Sequence, residues 1–433
     1  MKKKITKAIA YMHFLLFLAV LVIGGILFFA LPTSNESELE NRKLSPFPTL
    51  SIDNFTSGKY FDSIDVHFSD HFPFRELLVL WGQKIKNNRG FWLEKTVYIE
   101  PNLAEKVTNA DTCIALLNDT VNFDTIPFDP QKLGSSKGLT IYDGMAFQIF
   151  GGNKRVAAAY ASMVNKYRES FDPSINIYCL IIPSNAEFYK PKDMKLGVSE
   201  SKNIRDIYSF LNKGIIPVYA TENIRKHTDE YIYFNTDHHW TGLGAYYAYQ
   251  AFCEAAKITP IPLSGLDHKC NGKYLGSLYR MTLDERLKER GDSIVVYKIK
   301  NKYKAYSMDS ELKKSTHAFL YYRNACNYGV FLGGDLPIMR IDSDNKNGRK
   351  ILIIKNSFGN ALAPYMVPHF EQVFIVDYRY FKGSVEKLVK QFNVTDILFP
   401  TSIFAANTVS HIGKMRSILK GGKSLKKDAI KTK

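Results

Sequence analysis

Hydrophobic and polar positions divide the chain into unlike stretches. Residues 8–31 form 24 consecutive positions without Asp, Glu, Lys or Arg. As a helix this run rises roughly 36 Å, more than the hydrocarbon core of about 30 Å in a bilayer. Further on, short apolar runs alternate with amphipathic stretches of helical period. The runs 139–142, 175–182, 215–219, 231–234, 350–354, 372–376 and 394–399 predict strands. Residues 153–171, 203–213, 243–258, 359–367 and 385–392 predict helices. Strands that are apolar throughout, separated by helices, imply an α/β fold: a mainly parallel sheet covered on both faces, as in a three-layer α/β/α sandwich.

Three segments depart from this rhythm. Residues 32–90 begin as a polar spacer, and 55–86 read as helical with a break at Asp70-His71-Phe72-Pro73-Phe74-Arg75. There Pro73 suits the opening of a helix and Asp70 suits a cap, with Arg75 paired to a carboxylate. Residues 259–349 are rich in Tyr, Lys and Gly and read as an insertion that walls a site. Residues 91–137 give no clear pattern. The expected organisation is a basic end (1–7), an anchor (8–31), a juxtamembrane helical segment (32–90), an α/β domain (91–412) and a basic tail (413–433).

Charge sharpens this picture. The formal net charge is +16, of which the first seven residues carry +4 and residues 413–433 carry +7, leaving +5 on the rest. The basic ends are therefore no nucleic-acid footprint on the domain, and the tail reads as solvated and mobile. Four lysines before an uncharged run place the N-terminus in the cytoplasm and the bulk of the chain outside it. A cleaved signal peptide suits less well, because the run is long and ends Phe28-Phe29-Ala30-Leu31-Pro32, a poor cleavage site. The cysteines Cys113, Cys179, Cys253, Cys270 and Cys326 form no C-x-x-C pair, so a zinc ribbon or redox motif has no support. Cys179 and Cys253 lie in apolar elements and are expected buried. One disulfide is possible, with no pairing indicated.

The chemistry concentrates in Asn235-Thr236-Asp237-His238-His239-Trp240-Thr241, a loop expected at the end of the 231–234 strand. Asp237 and His239 are two residues apart, close enough for the carboxylate to hold one imidazole N–H and leave the other nitrogen as a general base. A nucleophile is offered by Asn356-Ser357-Phe358-Gly359, where a strand turns sharply into a helix and leaves backbone N–H groups free for an oxyanion. A Ser in that place can equally be a simple helix cap. His238 is expected to be structural, and Trp240 to pack on the following helix. Three consecutive ligands, Asp237, His238 and His239, are not expected to converge on one ion, so neither a metal nor another cofactor is expected.

Taken together these residues resemble the DHHW proteins, which stand with the AlgJ/AlgX-like acetyltransferases in the SGNH-hydrolase superfamily. Asp237-His238-His239-Trp240 matches the signature, Asn356-Ser357-Phe358-Gly359-Asn360 the nucleophile block, and Ser37-Glu38-Leu39-Glu40-Asn41-Arg42 with 70–75 the segment after the anchor. An Asp usually precedes the Ser in such proteins, where this chain has Asn356. The resemblance implies a Ser357-His239-Asp237 triad on an SGNH-like fold permuted so that Ser comes last. It also implies O-acetylation of a cell-envelope polysaccharide, with a multipass membrane acyltransferase supplying the acetyl group. A carbohydrate esterase with the same triad and a non-catalytic scaffold in polymer assembly are the alternatives. The loop Phe331-Leu332-Gly333-Gly334-Asp335 is a further place to look for oxyanion donors, without a named one.

Overall fold

The computed structural model describes residues 2–30, 36–37, 42–78, 81–82, 133–136, 139–191, 194, 197–322 and 327–421. They fall in two compact units, Met1–Lys95 and Thr96–Lys433. Most of 91–137, Cys113, Cys326 and the chain beyond 421 lie outside the described residues.

In the first unit, helix α1 (Lys2–Ala30) contains Tyr11–Ala30, long and apolar enough to cross a membrane. Two short helices follow, α2 (Ile52–Thr56) and α3 (Lys59–Asp70), parted at Gly58, whose positive φ of 77° breaks the continuous helix expected there. Ser51 caps α2 by accepting the Asn54 N–H. Asp70 closes α3, and its carboxylate accepts the Ser45 N–H at 2.9 Å.

The second unit opens with an antiparallel meander of β1 (Leu133–Ser136), β2 (Leu139–Tyr142) and β3 (Met145–Gln148). Helix α4 (Lys154–Ser170), capped by Asn153, leads to β4 (Asn176–Ile182). Then come α5 (Glu200–Ser209), β5 (Ile215–Val218) and α6 (Gly242–Ala256). A hairpin of β6 (Asp267–Tyr274) and β7 (Asp292–Lys298) follows. The chain continues through β8 (Tyr303–Met308), β9 (Ser315–Ala318), β10 (Ile338–Ser343), β11 (Lys350–Lys355) and α7 (Gly359–Leu362). It closes with β12 (Gln372–Asp377), α8 (Val385–Phe392), β13 (Asp396–Ser402) and α9 (Val409–Lys420).

Eight strands form one mixed sheet in the order β9-β8-β10-β12-β11-β13-β4-β5. The pairings from β12 to β5 are parallel and those from β9 to β12 antiparallel. Alternate side chains along the central strands enter two apolar clusters. Ile351, Ile353, Tyr178 and Leu180 join one, with Phe252 and Tyr249 of α6. Leu352, Ile354, Ile177 and Cys179 join the other, with Tyr160 and Val164 of α4 and Leu388 of α8. This two-faced burial is why these strands carry no alternating polar positions.

Four expectations are corrected. Residues 231–234 form no strand: Tyr233 makes only an isolated bridge to Trp240, because the loop between them folds back on itself. Part of the supposed insertion, β8, β9 and β10, belongs to the main sheet; β8 interleaves Tyr, Lys and Ser with single buried positions, Ala305 and Met308, which hid it. The 359–367 helix becomes 3₁₀ over Ala363–His369, where Pro364 and Pro368 lack the N–H an α-helix needs. The basic tail is helical to Lys420, with Ile412, Met415, Ile418 and Leu419 buried on one side.

Candidate active site

Three segments meet at the carboxyl ends of the parallel strands. The first is the loop 235–240. Asp292 at the start of β7 secures it: its carboxylate accepts the Asn235 N–H (2.7 Å), the Thr236 N–H (2.8 Å) and the Thr236 hydroxyl (2.5 Å). Within the loop, Phe234 N–H donates to His239 O and Thr241 N–H to Ile232 O. Thr241 then caps α6 by accepting from Gly244 N–H.

Asp237 is buried and fully engaged. Oδ1 faces His239 Nδ1 at 2.6 Å and accepts the His239 N–H at 3.0 Å. Oδ2 accepts the Tyr274 hydroxyl at 2.6 Å and the Ser277 N–H at 2.7 Å. Burial pushes the carboxyl up, but the facing His239 and His238, with the hydrogen bonds from His239 and Tyr274, outweigh it and hold Asp237 well below the usual carboxylate range. An ionised carboxylate only accepts, so His239 carries its proton on Nδ1. Gly276 passes so close that a Cβ there would sit 2.3 Å from Asp237 Cβ, so only glycine fits.

The second segment is the turn after β11. His239 Nε2 lies 2.7 Å from Ser357 Oγ and, in this tautomer, accepts its proton. Ser357 is partly exposed while residues on either side are buried. Gly359 and Asn360 spend their N–H groups on Asn356 O and Ser357 O, each at 3.0 Å. Gly359 also lies over the Lys355 stem, 2.5 Å from Lys355 Cβ for any added Cβ. Asn356 turns away from the hydroxyl and donates to Ser402 Oγ at 2.8 Å. Trp240 packs on this turn rather than simply on the next helix: its Nε1–H donates to Phe358 O at 3.0 Å.

The third segment runs from Tyr328 to Asp335. The Tyr328 ring stacks on His239, and its hydroxyl donates to Phe358 O at 3.4 Å. Asp335 accepts from Asn360 Nδ2 (3.0 Å) and Lys355 Nζ (3.1 Å) and pairs with Arg379 (2.7 Å). Buried Lys355 also bonds Asp377 at 2.8 Å. The 331–335 loop thus reaches the site as a charged brace.

His238 turns aside, with Nδ1 2.7 Å from Ser277 Oγ; desolvation first, then the neighbouring His239, lowers its pKa. Ligand atoms of Asp237, His238 and His239 nevertheless lie within 4.8 Å of one another, which overturns the expectation that they cannot converge. The folded-back loop brings them together. Both Asp237 oxygens and both His239 nitrogens are spent on the hydrogen bonds above, so a metal would have to displace them.

Sequence reasoning missed Tyr274, Ser277, Asp292 and Tyr328. The Gly276-Ser277 pair ahead of an apolar run was a usable signal for a tight helix start. Nothing in the sequence pointed to the others.

A family model described as DHHW protein matches residues 40–112 and 105–376. A crystal structure of a DHHW family protein from Eubacterium siraeum is 31% identical, covering 67% of this chain and 98% of that one, with a TM-score of 0.63. PatB1 of Bacillus cereus, solved with a sulfonyl adduct, is 17% identical over 66% of this chain and 98% of its own, with a TM-score of 0.55. The O-acetyltransferase domain of Pseudomonas putida AlgJ is 12% identical over 66% and 98%, with a TM-score of 0.38. No curated protein sequence matches.

Proposed function

We propose that this chain, which belongs to the DHHW family, is a membrane-anchored, extracytoplasmic O-acetyltransferase that modifies a cell-envelope polysaccharide. The observation that carries the reading is the relay Asp237–His239–Ser357, with contacts of 2.6 and 2.7 Å that end on a partly exposed hydroxyl. A buried pair of this kind has little use in a scaffold, whereas acyl transfer needs each member. We read the fold as a three-layer sandwich of SGNH type, permuted so that Asp and His precede Ser.

Ser357 Oγ would attack the acetyl carbonyl while its proton passes to His239 Nε2. Asp237 stabilises the resulting imidazolium and holds its plane. The N–H groups of Ser357 and Phe358, which have no partner among the described residues, are the available backbone donors for the oxyanion. Collapse breaks the donor's acyl–oxygen bond, and His239 returns its proton to the leaving oxygen. A sugar hydroxyl then loses its proton to His239, attacks the acetyl-Ser357 ester and releases the enzyme. Helix α1 would be a single span with its N-terminus in the cytoplasm, and a multipass membrane acyltransferase would supply the acetyl group.

The reading is tested by giving the full chain an activated acetyl ester and an oligosaccharide. Acetylated sugar that grows at the expense of free acetate supports transfer. Free acetate alone supports an esterase, and neither product supports a scaffold.

A further inference from the structure

The first unit carries an apolar stripe that the chemistry leaves unexplained. On α3, Phe61, Ile64 and Phe68 recur at i, i+3 and i+7, which puts them on one face, while Lys59, Ser63 and Asp70 occupy the other. Phe61 and Phe68 stay 51% and 40% exposed, far more than a core face allows. The stripe continues at both ends. The Phe55 ring of α2 meets Phe61 at 5.3 Å, and Ile52, one turn earlier, is 82% exposed. At the other end, Phe68 packs against Phe28 of α1 at 4.8 Å. Phe28 lies in the last turn of the apolar helix, at the depth where a spanning helix leaves the hydrocarbon.

We infer that α2 and α3 lie in the membrane interface, with the stripe of Ile52, Phe55, Phe61, Ile64 and Phe68 immersed in lipid around the outer end of α1. This rests on the reading of α1 as an uncleaved anchor. The contact between Phe68 and Phe28 sets the depth: a face that touches the end of the span is already at the headgroup boundary. An amphipathic helix there buries its apolar side roughly 5–10 Å into that boundary. Exposed Asp53, Asp62 and Asp65 on the same segment oppose recruitment by anionic lipid, so apolar burial must drive the contact. The segment is thereby a collar that fixes the height and tilt of this first unit at the surface.

The test uses the full chain in nanodiscs of phosphatidylcholine alone. A photoreactive benzoylphenylalanine replaces Phe61 in one sample, Ser63 in a second and Leu18 in a third. Light should crosslink position 61 to lipid with a yield at least fivefold above position 63, and position 18 should crosslink to lipid strongly. Crosslinks from position 61 to a second copy in place of lipid, or a lipid yield no higher than at 63, overturn the collar. Failure at position 18 overturns the anchor itself, and with it the premise, so the two failures are separable. A yield at 61 that appears only when anionic lipid is added also contradicts the inference.

Discussion

The Tyr328 ring lies flat against the imidazole of His239, with centroids 3.9 Å apart and planes 6° from parallel. This face-to-face contact fixes the plane in which Nε2 points at Ser357, and the π face favours the imidazolium that catalysis would form, by about 0.5–2 kcal/mol. Tyr328→Leu should therefore lower kcat for an aryl acetate by roughly tenfold while KM changes little. Tyr328→Phe keeps the ring and removes only the hydroxyl, with its bonds to Phe358 O, Trp240 and the Ala361 backbone, so it should stay within about threefold of wild type. Equal losses in the two variants would show that the hydroxyl, not the ring, matters.

Tyr274 supplies one of four hydrogen bonds to buried Asp237. A hydrogen bond to a charged group is worth about 1.5–3 kcal/mol. Tyr274→Phe should cost stability in that range, read from the urea midpoint. It should also slow ester turnover, because Asp237 keeps His239 in place less firmly. An unchanged midpoint would mean that the Ser277 N–H and the imidazole hold the carboxylate unaided.

Lys355 is buried between Asp335 and Asp377 beneath the Ser357 turn. Lys355→Met leaves two carboxylates sharing Arg379 alone, and breaking a buried ionic group costs about 3–5 kcal/mol. Denaturation should show a loss of that order. A midpoint that stays put or rises would show that desolvation of the lysine cancels its ion pairs.

Glu200, on α5, gives a pH signature away from the relay. Burial pushes its carboxyl up to about 7, only partly offset by the Ser184 hydroxyl and N–H bonded to it. A raised acid binds its proton more tightly when folded, so this group favours the folded state below its ordinary value near 4.5 and loses that effect as pH rises to about 7. Wild type should lose roughly 2–3 kcal/mol relative to Glu200→Gln between pH 4.5 and 8. Parallel stability curves for the two proteins would contradict the shift.

Much of this could be read from the chain alone, for identifiable reasons. Ile351 to Ile354 and Tyr178 to Ile182 are apolar at every position because both faces of the sheet are covered, so strand and sheet type were visible. Asp237 and His239 are two apart, so their contact is local. The bond from His239 to Ser357 spans 118 positions and became an expectation only through the turn chemistry around Ser357 and the resemblance. Tyr274 reaches Asp237 across 37 positions and Tyr328 stacks on His239 from a separate segment, neither with a local pattern, so spacing carries no trace of them. Lys414, Arg416 and Lys420 masked the buried side of α9, because charge on one face of a helix says nothing about the other.

The central claim is that Ser357 carries the acetyl group. The most direct measurement is peptide mass spectrometry of the full chain, quenched in acid seconds after mixing with an activated acetyl ester. The account predicts one acetyl group on the peptide containing Ser357 in wild type, none there in Ser357→Ala, and a yield lowered at least a hundredfold in His239→Ala. His238→Ala should be labelled almost as wild type. An acetyl group found only on another residue, or ester turnover at the wild-type rate in Ser357→Ala, would contradict it.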